Sequence, residues 1–241
     1  MIDKLRQKWI QYNDFTLREI IKLLNAKISG RILLHCAYCM IAQRIIREPI
    51  KTVIDIGAYD GEYSKCAKYV LPSAKIYAFE PTEICKKISG RDITAFNFGL
   101  WDKTGKGVFY QTFDLNTGIP CCDSSFFKTK DTKNNEGFKK VIIERKRFDG
   151  LDIKIERPCF VKVDAEGAEY EVLKGFGNKL KEVDVIQLEY LFEENYSRQN
   201  FIKIIQLLNK YNFHGFFQPI TTWPKGKLPQ SNDWIFFKYE K

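Results

Sequence analysis

The hydrophobic pattern of this chain changes near residue 50. Before that point, apolar residues recur at helical spacing over residues 17–28 and again over residues 32–46. After it, short runs rich in β-branched and aromatic residues alternate with amphipathic stretches, which is typical of strands separated by helices. Strands are predicted at residues 52–56, 75–79, 93–97, 107–112, 140–147, 159–163 and 185–188, with a terminal hairpin at 213–218 and 233–238. Helices in this part are predicted at about 62–70, 82–88, 168–174 and 197–210.

Strands that alternate with helices of this length predict a parallel sheet with right-handed crossovers. The expected fold is therefore α/β, with a mostly parallel sheet, helices on both faces and an antiparallel edge strand from the terminal hairpin, and this pattern fits a Rossmann-like, seven-stranded architecture. Residues 1–50 are predicted to form a helical cap and residues 51–241 the α/β domain. The polar stretch 113–139 is long for a loop of a compact domain, and we interpret it as a lid over the substrate.

A glycine-bearing turn follows the first of these strands. Residues 57–61 read Gly-Ala-Tyr-Asp-Gly, and the next strand is followed directly by Glu80 and Pro81. Glycines let the backbone approach a ligand closely, and an acid after the second strand can accept hydrogen bonds from ribose hydroxyls. Together, the turn and the acid predict a nucleotide-binding crevice at the carboxyl ends of the strands.

The spacing within this turn bears on which nucleotide binds. A dinucleotide-binding turn has three glycines in the order G-x-G-x-x-G, so that helix amides face the pyrophosphate. Here three residues separate Gly57 from Gly61, and Asp60 lies inside the turn, where its carboxylate would repel a diphosphate. A cationic sulfonium with an ammonium group would instead be attracted by Asp55 and Asp60. The turn therefore favours S-adenosylmethionine over NAD or FAD, and with it a class I methyltransferase fold.

Composition narrows the class of protein further. A chain of 241 residues with a formal net charge of +9 fits one soluble domain with an accessory segment, and suits an anionic partner without selecting among glycan, lipid headgroup and RNA. Seven cysteines without a regular framework predict reduced thiols. Without a signal-peptide pattern or a bilayer-length apolar run, a cytoplasmic protein with no transmembrane segment is expected. The basic N-terminal helices permit contact with a membrane surface, although we favour a solvated basic face.

The segment 160–175, FVKVDAEGAEYEVLKG, resembles the FkbM family of methyltransferases. That family carries a hydrophobic strand, a lysine, then Asp-x-Glu-Gly-x-Glu and a helix that ends in leucine and glycine. The resemblance extends from about residue 52 to residue 238 and gives no match in the first fifty residues. It implies O-methylation with S-adenosylmethionine as donor, commonly of sugars in surface glycans or of secondary-metabolite hydroxyls.

The resemblance also implies roles for individual positions. Asp55, Gly57 and Gly61 would surround the methionine part of the donor, Glu80 would bind its ribose, and residues 99–101 would approach the adenine. The cofactor-binding residues predicted in this way are Asp55, Gly57, Ala58, Tyr59, Asp60, Gly61, Glu80, Pro81, Gly99, Leu100, Trp101 and Asp164.

Candidate catalytic residues lie after the later strands, because open α/β sheets bind ligands at the carboxyl ends of their strands. By position they are Asp164, Glu166, Glu189 and His214. Asp164 is the first choice, as the base or as the acceptor of a hydrogen bond from the substrate hydroxyl. Glu166 could share this work or, with Asp164, bind a divalent cation such as Mg²⁺. Glu169 is interpreted as a helix-capping acid, and a packed or surface role is favoured for His214.

The predicted reaction is methyl transfer to a hydroxyl, in a sugar of a surface glycan or polysaccharide. The alternatives are an RNA methyltransferase, a small-molecule or lipid methyltransferase, and a non-catalytic adenosyl-binding module. Nucleic acid is disfavoured because exocyclic-amine methylation usually shows Asn/Asp-Pro-Pro-aromatic after the fourth strand, where residues 164–167 read Asp-Ala-Glu-Gly. The sequence leaves the acceptor, the metal, the general base and the oligomeric state open.

Overall fold

A computed structural model of the chain describes residues 30–122, 124–127, 136–191, 201–219 and 231–238. The helices are α1 (Gly30–Ile46), α2 (Glu62–Val70), α3 (Glu169–Gly175) and α4 (Phe201–Asn209). The strands are β1 (Thr52–Ile56), β2 (Lys75–Phe79), β3 (Ile93–Phe96), β4 (Gly99–Leu100), β5 (Gly105–Asp114), β6 (Glu136–Lys146), β7 (Cys159–Val163), β8 (Val185–Leu191), β9 (Phe213–Phe217) and β10 (Ser231–Lys238). Short 3₁₀ segments lie at Glu83–Lys87, Phe148–Gly150 and Gly177–Glu182.

The main sheet has seven strands in the order β3-β2-β1-β7-β8-β10-β9. Strand β1 pairs in parallel with β2 on one side and with β7 on the other, and the β2–β3 and β7–β8 pairs are also parallel. Strand β10 runs antiparallel to both of its neighbours, β8 and β9. The strand order reverses between β1 and β7, and such a switch point opens a crevice at the carboxyl ends of the strands.

Helices cover both faces of this sheet. Because side chains alternate along a strand, neighbouring residues of β1 belong to different layers of the core. Val53 packs in a cluster with Tyr38 of α1 and with residues of α2. Ile54 packs in another cluster, which includes Leu173 of α3 and Leu208 of α4. The predicted α/β layering with helices on both faces is confirmed.

The sequence between β3 and β7 forms a second sheet, which has three strands. Strands β5 and β6 form a long antiparallel ribbon, and β4 pairs in parallel with β6. Residues 120–122 and 124–127 fold back along β5 through isolated bridges that join Phe113 to Pro120 and Tyr110 to Ser125. The strands predicted at 107–112 and 140–147 are therefore present, but they form this ribbon.

The structure differs from the sequence patterns in three places. The stretch 113–139 is not a single loop, because β5 continues to Asp114 and β6 already begins at Glu136. The helix predicted at 82–88 is a 3₁₀ segment, and the antiparallel strand β10 lies inside the sheet with β9 at its edge. The helical pattern over 17–28 and most of the cap at 1–50 lie outside the described residues. None of the helices that the structure describes is long and apolar enough to span a membrane.

Candidate active site

A cavity of about 320 Å³ lies where strands β1, β2 and β7 end. Its lining includes the residues that directly follow each of these strands, because the carboxyl ends of parallel strands meet at one edge of the sheet. The predicted site residues that line it are Gly57, Ala58, Tyr59, Asp60, Glu80, Pro81, Gly99, Leu100, Asp164, Glu166 and Glu189. One opening therefore contains most of the predicted cofactor residues and three of the candidate catalytic acids.

Gly57 lets the turn after β1 pass directly against the loop after β7. Its φ of +72° lies in the left-handed region, where glycine is favoured. A Cβ atom at this position would lie 1.8 Å from the main-chain oxygen of Asp164, so that any side chain would force the two loops apart. The turn therefore presents bare backbone to the cavity at this point.

Glu80 is fixed by hydrogen bonds to its carboxylate. The main-chain N–H of Tyr59 donates to Oε2 at 3.0 Å, while the N–H and the hydroxyl of Thr82 donate to Oε1 at 2.8 and 2.6 Å. A carboxylate offers about four acceptor positions, so the described partners leave one for a ligand hydroxyl. Burial raises the pKa of Glu80, although these hydrogen bonds favour the ionised form.

Apolar side chains form another part of the lining. Those contributed by the β2 and β4 region and by the ribbon are Phe79, Pro81, Phe98, Leu100, Phe109 and Phe126. Large aromatic rings provide flat apolar surface, and ligand pockets typically combine such surface with a few polar groups. This part of the cavity can therefore receive a planar base beside Glu80.

Asp55 does not line the cavity, although it was predicted to contact the donor. It is completely buried in β1, and its Oδ2 accepts a hydrogen bond from the Ser64 hydroxyl of α2 at 2.6 Å. Because Asp55 lies within the strand rather than after it, its side chain points to a face of the sheet. Any influence of Asp55 on a ligand must therefore pass through its neighbours.

Lys162 of β7 connects Asp55 to the cavity. Its Nζ lies 3.4 Å from Oδ1 of Asp55 and 3.2 Å from Oδ2 of Asp164. It also donates to the main-chain oxygens of Ile56 at 3.3 Å and Gly57 at 2.9 Å. Burial opposes the charge of Lys162, but the carboxylates of Asp164 and Asp55 outweigh this effect and raise its pKa. The side chain is therefore a buried cation that holds β1, its turn and β7 together.

The pKa values of Asp164 and Glu189 shift in opposite directions although the two acids lie side by side. Burial opposes ionisation of Asp164, but the charge of Lys162 and hydrogen bonds from Glu189 and Lys162 lower its pKa. Burial and the neighbouring charge of Asp164 raise the pKa of Glu189 well above its ordinary range. The pair therefore divides its protons unequally, with the ionised form favoured at Asp164 and the protonated form favoured at Glu189, as in other closely spaced acids.

Two further acids belong to the loop after β7. Glu166 has a φ of +49°, and its main-chain oxygen accepts a hydrogen bond from the Ser125 hydroxyl at 2.5 Å. Oε1 of the buried Glu169 accepts hydrogen bonds from the main-chain N–H groups of Ala165 at 3.0 Å and Gly167 at 3.1 Å. Burial raises the pKa of Glu169 to about 7. Glu169 thus shapes the loop that carries Asp164, in line with its interpretation as a capping acid.

The structure places three other predicted residues away from the cavity lining. Gly61, with a φ of +79°, precedes α2 and packs against Ile88. The Trp101 ring packs on Phe126, with ring centroids 4.6 Å apart. His214 is exposed on β9, the edge strand farthest from β1 on that side of the sheet.

The cavity also has basic lining residues that received no role from the sequence. Lys162 carried a signal, because a lysine inside the apolar run of β7 is unusual for a buried strand. Arg31 and His35 belong to α1, where no resemblance was available. The His35 ring meets the ring of Tyr63 edge-on, with centroids 5.1 Å apart. Helix α1 therefore forms a wall of the site in addition to covering the sheet.

The part of the chain that builds this cavity matches a known family. The model described as the methyltransferase FkbM domain matches residues 55–214, which extend from β1 to β9. The chain belongs to the FkbM methyltransferase family. The match includes Glu80, Lys162, Asp164 and Glu189, whereas α1 of this FkbM-family chain lies outside it.

Individual proteins are also similar to this FkbM-family chain. The methyltransferase sdnD of Sordaria araneosa is 30% identical over 155 residues, which cover 51% of this chain and 59% of that protein's length. The structure of the plantazolicin methyltransferase BpumL in complex with SAH has a TM-score of 0.47 at 9% identity, and the match covers 92% of this chain and 90% of the other. Precorrin-6y C5,15-methyltransferase from Geobacter metallireducens GS-15 has a TM-score of 0.44 at 16% identity, with 83% and 87% covered.

Proposed function

We propose that this FkbM-family chain transfers a methyl group from S-adenosylmethionine to a hydroxyl of a sugar in a surface glycan or polysaccharide, and does so in the cytoplasm. The observation that carries the proposal is the cavity between β1, β2 and β7, whose lining contains both Glu80 and Asp164. It provides a hydrogen-bonded acid suited to a ribose and a charged acid suited to a reacting hydroxyl.

The lining fits the proposed donor. It contains the acids Asp60, Glu62, Glu80, Asp164, Glu166 and Glu189, which favour a sulfonium and an ammonium group over a diphosphate. Glu80 retains an acceptor position for a ribose hydroxyl, and Gly57 offers backbone where a side chain would intrude. When bound, the donor supplies a methyl group on a positively charged sulfur, which is an activated leaving group.

Asp164 is assigned as the base that accepts the proton of the acceptor hydroxyl. A sugar hydroxyl is a poor nucleophile, and a positioned base contributes roughly two to four orders of magnitude in rate. The hydroxyl becomes far more acidic as its oxygen gains a bond to carbon, so that an ionised carboxylate of low pKa suffices. Lys162 keeps Asp164 ionised, and the hydrogen bond with Glu189 fixes its orientation.

The size of the cavity supports an acceptor that reaches in from outside. A volume of about 320 Å³ is at the low end for sites that enclose one drug-sized ligand. The donor alone would use most of this space. A glycan could then present a single hydroxyl to Asp164 while the rest of it remains on the surface of the protein.

A divalent cation has no assigned role in this proposal. Asp164, Glu166 and Glu189 bring carboxylate oxygens within 4.8 Å of one another, and such oxygen ligands suit Mg²⁺ or Ca²⁺. The ammonium of Lys162, however, already provides a positive charge 3.2 Å from Asp164. A chelator in the assay below tests whether a metal is needed.

The activity is tested with a labelled methyl donor and three acceptor pools: a fractionated cell-envelope glycan extract, a mixture of small hydroxyl compounds and lipids, and total RNA. Label is expected in the glycan fraction, with and without chelator. Label in RNA or in small molecules alone would overturn the acceptor class. Donor binding without transfer to any pool would favour a non-catalytic adenosyl-binding module.

The Asp164→Asn variant tests the assignment of the base. It keeps the size of the side chain but removes its charge, so we expect turnover to fall by roughly 10²- to 10⁴-fold while donor affinity stays within a few fold. Calorimetry gives the affinity and label transfer gives the turnover. The exposed Asp152→Asn variant is the matched control and should behave like the unmodified protein. Undiminished turnover of Asp164→Asn would show that Asp164 is only structural.

A further inference from the structure

The proposed donor carries a carboxylate as well as two positive charges, and most charged residues of the cavity are acids. Among the described residues of the lining, the basic side chains are Arg31, His35 and Lys162. We propose that Arg31 binds the methionine carboxylate of S-adenosylmethionine, so that helix α1 completes the donor site. This inference rests on the proposed function, because it assumes that donor.

Lys162 has no capacity for another anion. Its ammonium has three N–H donors, and four oxygen atoms already lie within 3.4 Å of it: those of Asp55, Asp164, Ile56 and Gly57. Only a small part of its side chain is accessible to solvent. A ligand carboxylate would have to displace these partners and separate β1 from β7.

His35 does not supply the charge either. Its ring lies against Tyr63, and Nε2 is 3.6 Å from Oε1 of Glu62. Burial and the positive charge of Lys162 lower the pKa of His35, while the acid Glu62 opposes this shift and Arg31 adds to it. The ring is therefore neutral at pH 7 and can contribute a hydrogen bond but no full positive charge.

Arg31 has both the charge and an unused edge. Its Nε donates to Oε1 of Glu62 at 2.6 Å and one terminal nitrogen donates to Oε2 at 3.3 Å. A guanidinium has five N–H donors in a planar fork, and Glu62 uses only one edge of it. Toward the described residues, the edge formed by the two terminal nitrogens remains available for a second carboxylate. More than half of the side chain is exposed, so a ligand can reach it.

Glu62 also places Arg31 next to the correct part of the site. It is the first residue of α2, directly after the turn 57–61 that was predicted to surround the methionine, and its N–H is bonded to the side chain of Asp60. Glu80 lies on the other side, after β2. A donor with its ribose at Glu80 and its methionine along the turn would extend toward Arg31.

Helix α1 is firmly attached, so that Arg31 is a defined part of the site. Tyr38, Cys39 and Ala42 are buried against β1, β7 and α2. The family match begins only at residue 55 and does not include this helix. The carboxylate site proposed on α1 therefore depends on how this helix packs in the present chain.

The experiment compares two ligands that differ only in the carboxylate: S-adenosylmethionine and its decarboxylated form. Calorimetry is carried out on the full chain, on Arg31→Ala and Arg31→Lys, and on Arg44→Ala, an exposed position of the same helix. Arg31→Ala should lower the affinity for S-adenosylmethionine by about ten- to a hundredfold, which is the range of a charge-assisted contact. The affinity for the decarboxylated ligand should stay nearly unchanged. Arg31→Lys should recover part of the loss, and Arg44→Ala should show none.

Each other outcome has a definite meaning. If the unmodified chain binds neither ligand, the proposed function fails and the inference falls with it. If it binds S-adenosylmethionine and Arg31→Ala binds it equally well, the inference alone is overturned. Equal weakening of both ligands by Arg31→Ala also overturns it, because Arg31 would then act on the shape of the site. Should Arg31→Ala not fold, the same comparison is made with Arg31→Lys, where the loss must again be confined to the ligand with the carboxylate.

Discussion

Glu80 and Asp164 face the same cavity, but their carboxylates are held by different kinds of partner. Glu80 is bound by main-chain N–H groups of Tyr59 and Thr82 and by the Thr82 hydroxyl. Asp164 is held by the charge of Lys162 and by a hydrogen bond with Glu189. On the first wall the partners are neutral dipoles in fixed positions, whereas on the second they are ionisable groups.

This difference matches what each wall is proposed to do. Backbone partners cannot lose a proton, so the groups that hold Glu80 keep the same positions as the pH changes, as recognition of a ribose needs. Ionisable partners respond to each other: a proton arriving at Asp164 neutralises its carboxylate and removes the charge that helps to raise the pKa of Glu189, so that Glu189 can release its own proton more easily. The cavity therefore combines a fixed binding wall with a wall adapted to proton transfer.

Removal of Lys162 should disrupt the second wall most strongly. The Lys162→Met variant leaves Asp55 and Asp164 buried without their cation, and breaking a buried pair costs about 3–5 kcal/mol. We expect a loss of stability of that size at neutral pH, measured by chemical denaturation, and a smaller loss at pH 4, where the acids can take up protons.

Lys179→Met is the matched control for this variant. Lys179 also donates to two main-chain oxygens, those of Leu151 and Ile153. Among the described residues, however, it forms no ion pair with a carboxylate. Its removal should cost clearly less than removal of Lys162. Equal losses of stability in the two variants at neutral pH would mean that the charges of Asp55 and Asp164 do not contribute to the effect of removing Lys162.

Ionisation of Glu169 should have an effect of intermediate size on the stability of the fold, and this effect depends on pH. Its pKa is raised by burial from 4.5 to about 7, so that the folded state binds its proton more tightly than the unfolded chain does. Stability from this group is present below about pH 4.5 and is lost as the pH rises to about 7, by roughly 3 kcal/mol at most.

The Glu169→Gln variant should remove this dependence. The amide oxygen can still accept from Ala165 and Gly167, so we expect similar stability at pH 5 and a relative gain for the variant at pH 8. Thermal unfolding at the two pH values measures the difference. Parallel curves for the variant and the unmodified protein would contradict the raised pKa.

Glu80→Ala should have its main effect on donor binding and is compared with Glu80→Gln, because the alanine also leaves the N–H groups of Tyr59 and Thr82 without this acceptor. Without the carboxylate the donor loses its ribose partner, and we expect affinity for S-adenosylmethionine to fall by about tenfold or more. Glu80→Gln keeps one acceptor oxygen and should lose less. Unchanged affinity of Glu80→Ala by calorimetry would refute the ribose assignment.

Sequence patterns predicted the frame of the site well, for a physical reason. Apart from the exposed Lys75 at the start of β2, strands β1, β2 and β7 are continuous runs of buried residues, so their ends are marked by the polar or glycine residues that follow. Glu80 and Asp164 come directly after such strands, and their location at one edge follows from parallel pairing.

The features that the sequence did not reveal depend on contacts between distant segments. Asp55 was expected at the ligand because its carboxylate would attract the cationic donor and because the resemblance implied that role, but the alternation of side chains turns it toward Ser64. The partner of β5 is set by long-range pairing, which the local pattern of the stretch 113–139 does not encode. Arg31 reaches the cavity only through the packing of α1, which no motif marks.

The separate pairing of the ribbon has a consequence for engineering. Among the described strands, β4, β5 and β6 pair only with one another, so that this unit can be exchanged between homologues without cutting a ladder of the central sheet. Residues 120–122 and 124–127 belong to the same exchanged segment, and among them Ser124 and Phe126 line the cavity. A chimera built in this way would keep Glu80, Lys162 and Asp164 and exchange the apolar surface that Leu100, Phe109 and Phe126 contribute to the cavity, so that it can test how far this surface sets the affinity for the donor.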